Sequence, residues 1–206
     1  MTNKYRWSVN QTQSPFLRLP GEIRNTIYQY ALGGGTVNIG YETYRTTYKS
    51  DQPCEVTPVF KYHCTVYNQP TNPFKNIKQP WINVSTGYTP LNNICRQMYM
   101  EAATLPYKHN IMSFDTHNIM FNMLYKDQRL SRQQLDAITQ IILPDILPPP
   151  NMLVHLRNLD KVFLAFDQEH NDKGWYKVVR SDGSDPKLVN EQQMRKSTYT
   201  WASRRY

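Results

Sequence analysis

From Ile111 onward, short apolar runs alternate with amphipathic helical stretches, and this alternation limits the fold more than any other feature of the chain. Ile111-Met112-Ser113-Phe114 is a predicted strand, and a helix through Ile119, Met120, Met123 and Leu124 follows it. Ser131 with Gln134 forms a capping box, and Leu130 with Leu135 supplies the hydrophobic staple around it. Next come the strand Gln140-Ile141-Ile142-Leu143 and a helix from Asn151 to Leu159, with Leu153, Leu156 and Leu159 facing inward. Strands at Lys161–Phe166 and Trp175–Val179 complete the pattern. The order strand, helix, helix, strand, helix, strand belongs to an α/β layer whose neighbouring strands run parallel. The asparagine ladder of a leucine-rich repeat is absent, so a solenoid is not expected.

The first half reads differently. Residues 1–15 are polar and aperiodic, and are expected to form a flexible leader. Gly21 to Leu32 is a predicted helix, with Ile23, Ile27 and Ala31 at four-residue spacing and Tyr30 beside them. Pro20 suits its first turn, Glu22 sits near the positive end of its dipole, and Gly33-Gly34-Gly35 stops it. Residues 36–68, rich in Thr, Val and Tyr, read as a β-rich insert of two to four strands. Residues 69–90 hold Pro70, Pro73, Pro80 and Pro90 and are expected to be an irregular loop open to partner contact. Leu91 to Leu105 is the clearest helix, with Leu91, Ile94, Cys95, Met98, Ala102 and Leu105 on one face and Pro106 ending it. Residues 187–206 are expected to form a basic C-terminal helix or tail. The expected fold class is therefore α+β: a short N-terminal helix, a β-hairpin insert, then an alternating strand/helix layer, in one domain over residues 16–186.

Composition sets the outer bounds. Leu, Ile, Val and Phe make up 45 of 206 residues, just above the level where disorder is the default, and 15 Tyr and 4 Trp add buriable bulk. No apolar run approaches the roughly 18 residues that span a bilayer, and the N-terminus lacks an apolar signal core. An intracellular setting, cytoplasmic or nuclear, is expected. The net charge of +8 sits at the two ends. Lys187, Arg195, Lys196, Arg204 and Arg205 offer a nucleic-acid contact, although dispersed excess of this kind is ordinarily a solubility feature.

Candidate chemistry is sparse. Cys54, His63, Cys64 and Cys95 are the only soft-ligand group, and Cys54 to Cys64 is too wide for a zinc pair, so they read as small apolar thiols with no metal. Asp167 to Asp172 fails as a calcium loop, because positions six and twelve hold Asp172 and Val178 rather than Gly and Glu. No nucleophile elbow, Walker loop or dinucleotide fingerprint is present. Neither catalytic residues nor a cofactor are expected, and the chain is read as non-enzymatic.

Two segments carry a specific pattern. Phe16-Leu17-Arg18-Leu19-Pro20-Gly21-Glu22-Ile23-Arg24-Asn25-Thr26-Ile27-Tyr28 resembles the opening helix of fungal F-box-like proteins of the two-EXR type. Leu91 to Ala102, with Cys95-Arg96-Gln97, Tyr99 and Glu101-Ala102, resembles the second hallmark of that group, and Asn110 to Phe114 its Asn-x-x-x-Phe strand. The resemblance implies a protein-interaction module that presents a substrate to a ubiquitin ligase through a Skp1-type adaptor. Leu19, Pro20, Glu22, Ile23, Ile27 and Tyr28 would then form the adaptor face. A full F-box continues through two more helices, whereas here a triple glycine and a β-rich segment follow. The alternative placement packs Leu19, Ile23 and Ile27 against the second hallmark helix, with Glu22 pairing to Arg24 or Arg96.

Overall fold

The computed structural model describes residues 9, 12–48, 53–75, 82–84, 95–166 and 173–192. The fold is mixed α and β, as expected. Helix α1 (Gly21–Leu32) leads into the long strands β1 (Thr36–Thr47) and β2 (Glu55–Tyr67), and β3 (Ile82–Val84) lies beyond them. Then come α2 (Arg96–Ala102), α3 (Leu105–His109), β4 (Ile111–Phe114) and α4 (His117–Phe121), which runs on as a π-turn over Asn122–Lys126. The chain continues through α5 (Arg132–Ala137), β5 (Gln140–Leu143), α6 (Pro150–His155), β6 (Lys161–Leu164), β7 (Gly174–Val179) and β8 (Lys187–Asn190).

These strands form one eight-stranded sheet in the order β3-β2-β1-β4-β5-β6-β7-β8. Strands β1, β4, β5 and β6 run parallel, in registers such as Ile39↔Phe114, Met112↔Ile141 and Leu143↔Leu164. Antiparallel hairpins close both sides. Alternation sends Val37, Ile39, Met112, Phe114, Ile141, Leu143 and Val162 to one face. There they pack with Met120, Leu124, Leu130, Ile138, Leu153, Leu156 and Leu159 from the helical connections. Burying each Leu, Ile or Phe contributes roughly 1.5–3 kcal/mol, so this face holds most of the stability. The capping box is formed: Ser131 Oγ accepts from Gln134 N, and Gln134 Oε1 accepts from Ser131 N at 3.0 Å.

Residues 36–68 form the expected β-hairpin, and its strand β1 also pairs with β4 as an inner strand of the sheet. Several expectations need correction. The irregular loop contains β3, which pairs with β2 at Cys64↔Val84. Pro106 does not end a helix running from Leu91. The helix breaks after Ala102 and Pro106 opens α3, where a missing N–H costs nothing. The helix expected to reach Leu159 stops at His155, and the strand expected to reach Phe166 stops at Leu164. Lys187–Asn190, expected as helix or tail, is strand β8, because its hairpin partner β7 offers a free edge: Val178↔Leu188, with Gly183 at φ +76 in the turn. Residues 193–206, the acidic turn 167–172, Leu91, Ile94 and most of the leader lie outside the described residues.

The triple glycine does stop α1, and it does more. A Cβ on Gly35 would stand 2.1 Å from the carbonyl oxygen of Tyr67. Only glycine lets β1 begin this close to the end of β2.

Candidate functional site

Helices α1 and α2 meet. Arg24 on α1 donates to both carboxylate oxygens of Glu101 on α2, Nε to Oε2 at 2.9 Å and Nη2 to Oε1 at 2.6 Å. Its remaining nitrogen, Nη1, donates to the carbonyls of Leu17 and Leu19. One guanidinium therefore fixes the helix, its own lead-in turn and α2 together, a task suited to the planar fork of arginine. Tyr28, one turn on, donates its hydroxyl to Glu101 Oε2 at 3.2 Å, and Gln97 Nε2 reaches Oε1 at 3.3 Å. Phe16 closes edge-on over the Tyr28 ring at 5.3 Å.

The electrostatics follow from that geometry. The hydrogen bond from Arg24 holds the Glu101 carboxyl below the usual carboxylate range, against the opposing pull of burial. Burial first, and then the neighbouring Glu101 charge, pushes the Tyr28 hydroxyl up to about 12. The carboxylate thus stays ionised and the phenol neutral near pH 7, which is the pairing the hydrogen bonds require.

Asn110 completes the junction. Its Oδ1 accepts from Gly35 N at 2.9 Å, and its Nδ2 donates to the carbonyls of Leu32 and, at 2.8 Å, Pro106. This one buried amide ties the end of α1, the start of β1 and the turn of α3. Phe114, four residues further on, is fully buried in the core.

The remaining predicted residues divide. Tyr28 and Gln97 are buried, while Leu19, Cys95 and Glu101 are half-buried. Pro20, Glu22, Ile23, Ile27, Arg96 and Tyr99 are exposed. The stripe expected to pack α1 on the domain instead faces solvent: Ile23 is 48 % exposed, Ile27 39 % and Tyr30 86 %. The alternative placement of Ile23 and Ile27 against α2 is thereby overturned, and so is the ion pair from Glu22. Among the described residues the pair across this junction is Arg24–Glu101. The physical reason is that Arg24 and Tyr28, at i and i+4, both find one carboxylate, and two neighbouring helix faces cannot both turn inward. Sequence reading overlooked Arg24 as a site residue. The signal available was a lone arginine and a lone glutamate in two short helices that otherwise carry little charge on their buried sides.

The thiols do not converge: Cys54 is exposed, Cys64 lies in the core and Cys95 stands just before α2. Among the described residues there is no group of three or more His, Cys, Asp or Glu able to hold a metal ion, and no helix is long and apolar enough to cross a membrane.

A family model described as "Domain of unknown function (DUF7730)" matches residues 9–180. No curated protein and no solved structure matches.

Proposed function

The chain belongs to the DUF7730 family, and we propose that it is a non-enzymatic protein-interaction module that docks a partner through the exposed stripe of α1. The observation that carries this reading is that α1 is held by a polar clamp, which leaves Ile23, Ile27 and Tyr30 free. An amphipathic helix whose apolar side points away from its own domain suits a hydrophobic groove on another protein, read at i and i+4. Full burial of each such side chain is worth roughly 1.5–3 kcal/mol, so the stripe is a useful anchor, though not a complete interface.

The partner proposed is a Skp1-type adaptor, with the chain acting as an F-box-like substrate receptor. Resemblance of residues 16–28 to that group supports the choice. Because β1 follows the triple glycine directly, α1 would engage the adaptor without the two further helices of a full F-box.

The test is affinity capture with the tagged full-length chain from a fungal extract, probed for a Skp1-type adaptor and a cullin. Stoichiometric recovery by the wild type, lost in a folded Ile23→Asp/Ile27→Asp variant, is the expected result. Absence of both proteins from captures by folded wild type overturns the adaptor reading.

A further inference from the structure

Strands β1, β2 and β4 bring a second set of polar residues together on the face of the sheet opposite the core. Alternation sends Val37, Ile39, Met112 and Phe114 inward, so Asn38, Gly40, Ser113 and Asp115 turn to the other side. Register places Asn38 beside Ser113 and Gly40 beside His63, and Asp115 N donates to Ile39 O, which extends the β4 pairing by one residue. Asp115 therefore stands at the carboxyl end of β4, the end of a parallel sheet at which open α/β folds bind ligands.

Gly40 lets this row close. A Cβ there would stand 2.3 Å from Asp115 Oδ2 and 2.6 Å from His63 Nε2, so the carboxylate and the imidazole reach over the glycine from opposite sides toward one point. Asn38 aims the carboxylate: its Nδ2 donates to Asp115 Oδ1 at 2.7 Å, and Oδ2 is left to face His63. Among the described residues no cation pairs with Asp115. Glu42, two residues further along this face, is held by Arg45 at 2.8–2.9 Å. Two oxygens beside the carboxylate, Asn38 Oδ1 and Ser113 Oγ, are buried without a hydrogen-bond partner, and Ser113 is wholly buried. Buried polar atoms are ordinarily paired, so two orphans next to an uncompensated carboxylate mark a place where a polar ligand sits.

We propose that His63 and Asp115 bind a divalent transition-metal ion, of the zinc or manganese kind, above Gly40. One imidazole nitrogen with one carboxylate oxygen is ligand chemistry suited to those ions, whereas calcium takes oxygen alone. His63 Nε2 and Asp115 Oδ2 supply two ligands, and waters fill the remaining positions. Those waters donate to Asn38 Oδ1 and Ser113 Oγ, the acceptors that the chain leaves open. His63 Nδ1, which then carries the ring proton, has no acceptor behind it, and two protein ligands are fewer than a structural zinc site uses. The expected affinity is accordingly modest, with Kd on the order of 1–100 µM. This site lies on the sheet and not on the exposed stripe of α1, and it stands or falls without the adaptor reading.

The test is calorimetric titration of the chelator-stripped full chain with zinc chloride, and separately with manganese chloride. One equivalent of at least one of these metals is expected to bind. His63→Ala and Asp115→Asn should each weaken that binding about tenfold or more, while His155→Ala, which removes a histidine outside the site, should leave it unchanged. Melting curves check that each variant is folded. The wild type also locates the ion without any substitution: the amide NMR signals of Gly40, His63 and Asp115 should respond to the bound metal before all others. Absence of binding by both metals up to about 1 mM overturns the proposal. So does one equivalent that both site variants retain, or an NMR response centred elsewhere in the chain.

Discussion

Helices α1 and α6 show the same signal in sequence, apolar residues recurring at helical spacing, and the fold uses them in opposite ways. In α6, Met152 and Leu153 go into the core beside Leu156 and Leu159. In α1, Ile23 and Ile27 stay in solvent, and an arginine and a tyrosine turn inward. The difference lies in what each helix meets. The connection between two parallel strands has to lie over the sheet, whose face is apolar, so α6 is held by burial. Helix α1 precedes the first parallel strand and meets α2 and α3, where the anchor on offer is the Glu101 carboxylate. Periodicity reports that a helix has an apolar side. It does not report whether the domain or a partner covers that side.

This contrast can be broken at graded cost. The largest effect is expected in the sheet core: Phe114→Ala should cost about 3–5 kcal/mol in urea unfolding, because the cavity lies where the strands cannot collapse inward. Asn110→Ala comes next, at about 1–3 kcal/mol, since it leaves the Gly35 N–H and two carbonyls to find other partners. Unchanged stability in that variant would show that Asn110 is not the tie between α1 and the sheet.

Glu101→Gln should cost about 1–2 kcal/mol, discounted for partial exposure, and should act locally. Amide exchange in α1 is expected to accelerate while β4, β5 and β6 keep their protection. Equal acceleration in the core strands would mean that the clamp and the sheet unfold as one unit. The clamp also has a definite pH signature. Because Arg24 lowers the carboxyl of folded Glu101 beneath its ordinary value of 4.5, its contribution is complete above that value and disappears as pH falls through the lowered one. The stability gap between wild type and Glu101→Gln should therefore be constant near neutrality and shrink on acidification below about pH 4. A gap that persists there would assign the loss to packing and not to charge.

Legibility in the sequence followed the same division. The strands Ile111–Phe114 and Gln140–Leu143 and the Ser131 capping box were readable residue by residue, because each local signal agrees with the apolar core it joins. The helix broken at Ala103 and the strand at Lys187–Asn190 were not. Pro106 fits the start of a helix as well as the end of one, and β8 is strand because β7 offers it an edge. At the candidate site, α1 and α2 were legible from their apolar spacing, but their contact was not. A pairing 77 residues apart leaves no mark in local periodicity, and Arg24 with Glu101 could be matched only once the helices were placed.

The smallest expected change is the most telling. Ile23→Asp/Ile27→Asp inserts two charges into what periodicity presents as a buried stripe, and its unfolding free energy is best compared with the wild type in urea at neutral pH. If α1 is anchored through Arg24 and Glu101 with its apolar side outward, the two proteins should differ by under about 1 kcal/mol, the cost of helix propensity alone. A loss of about 2–5 kcal/mol per site, as in a core, would contradict it and place that stripe inside the domain.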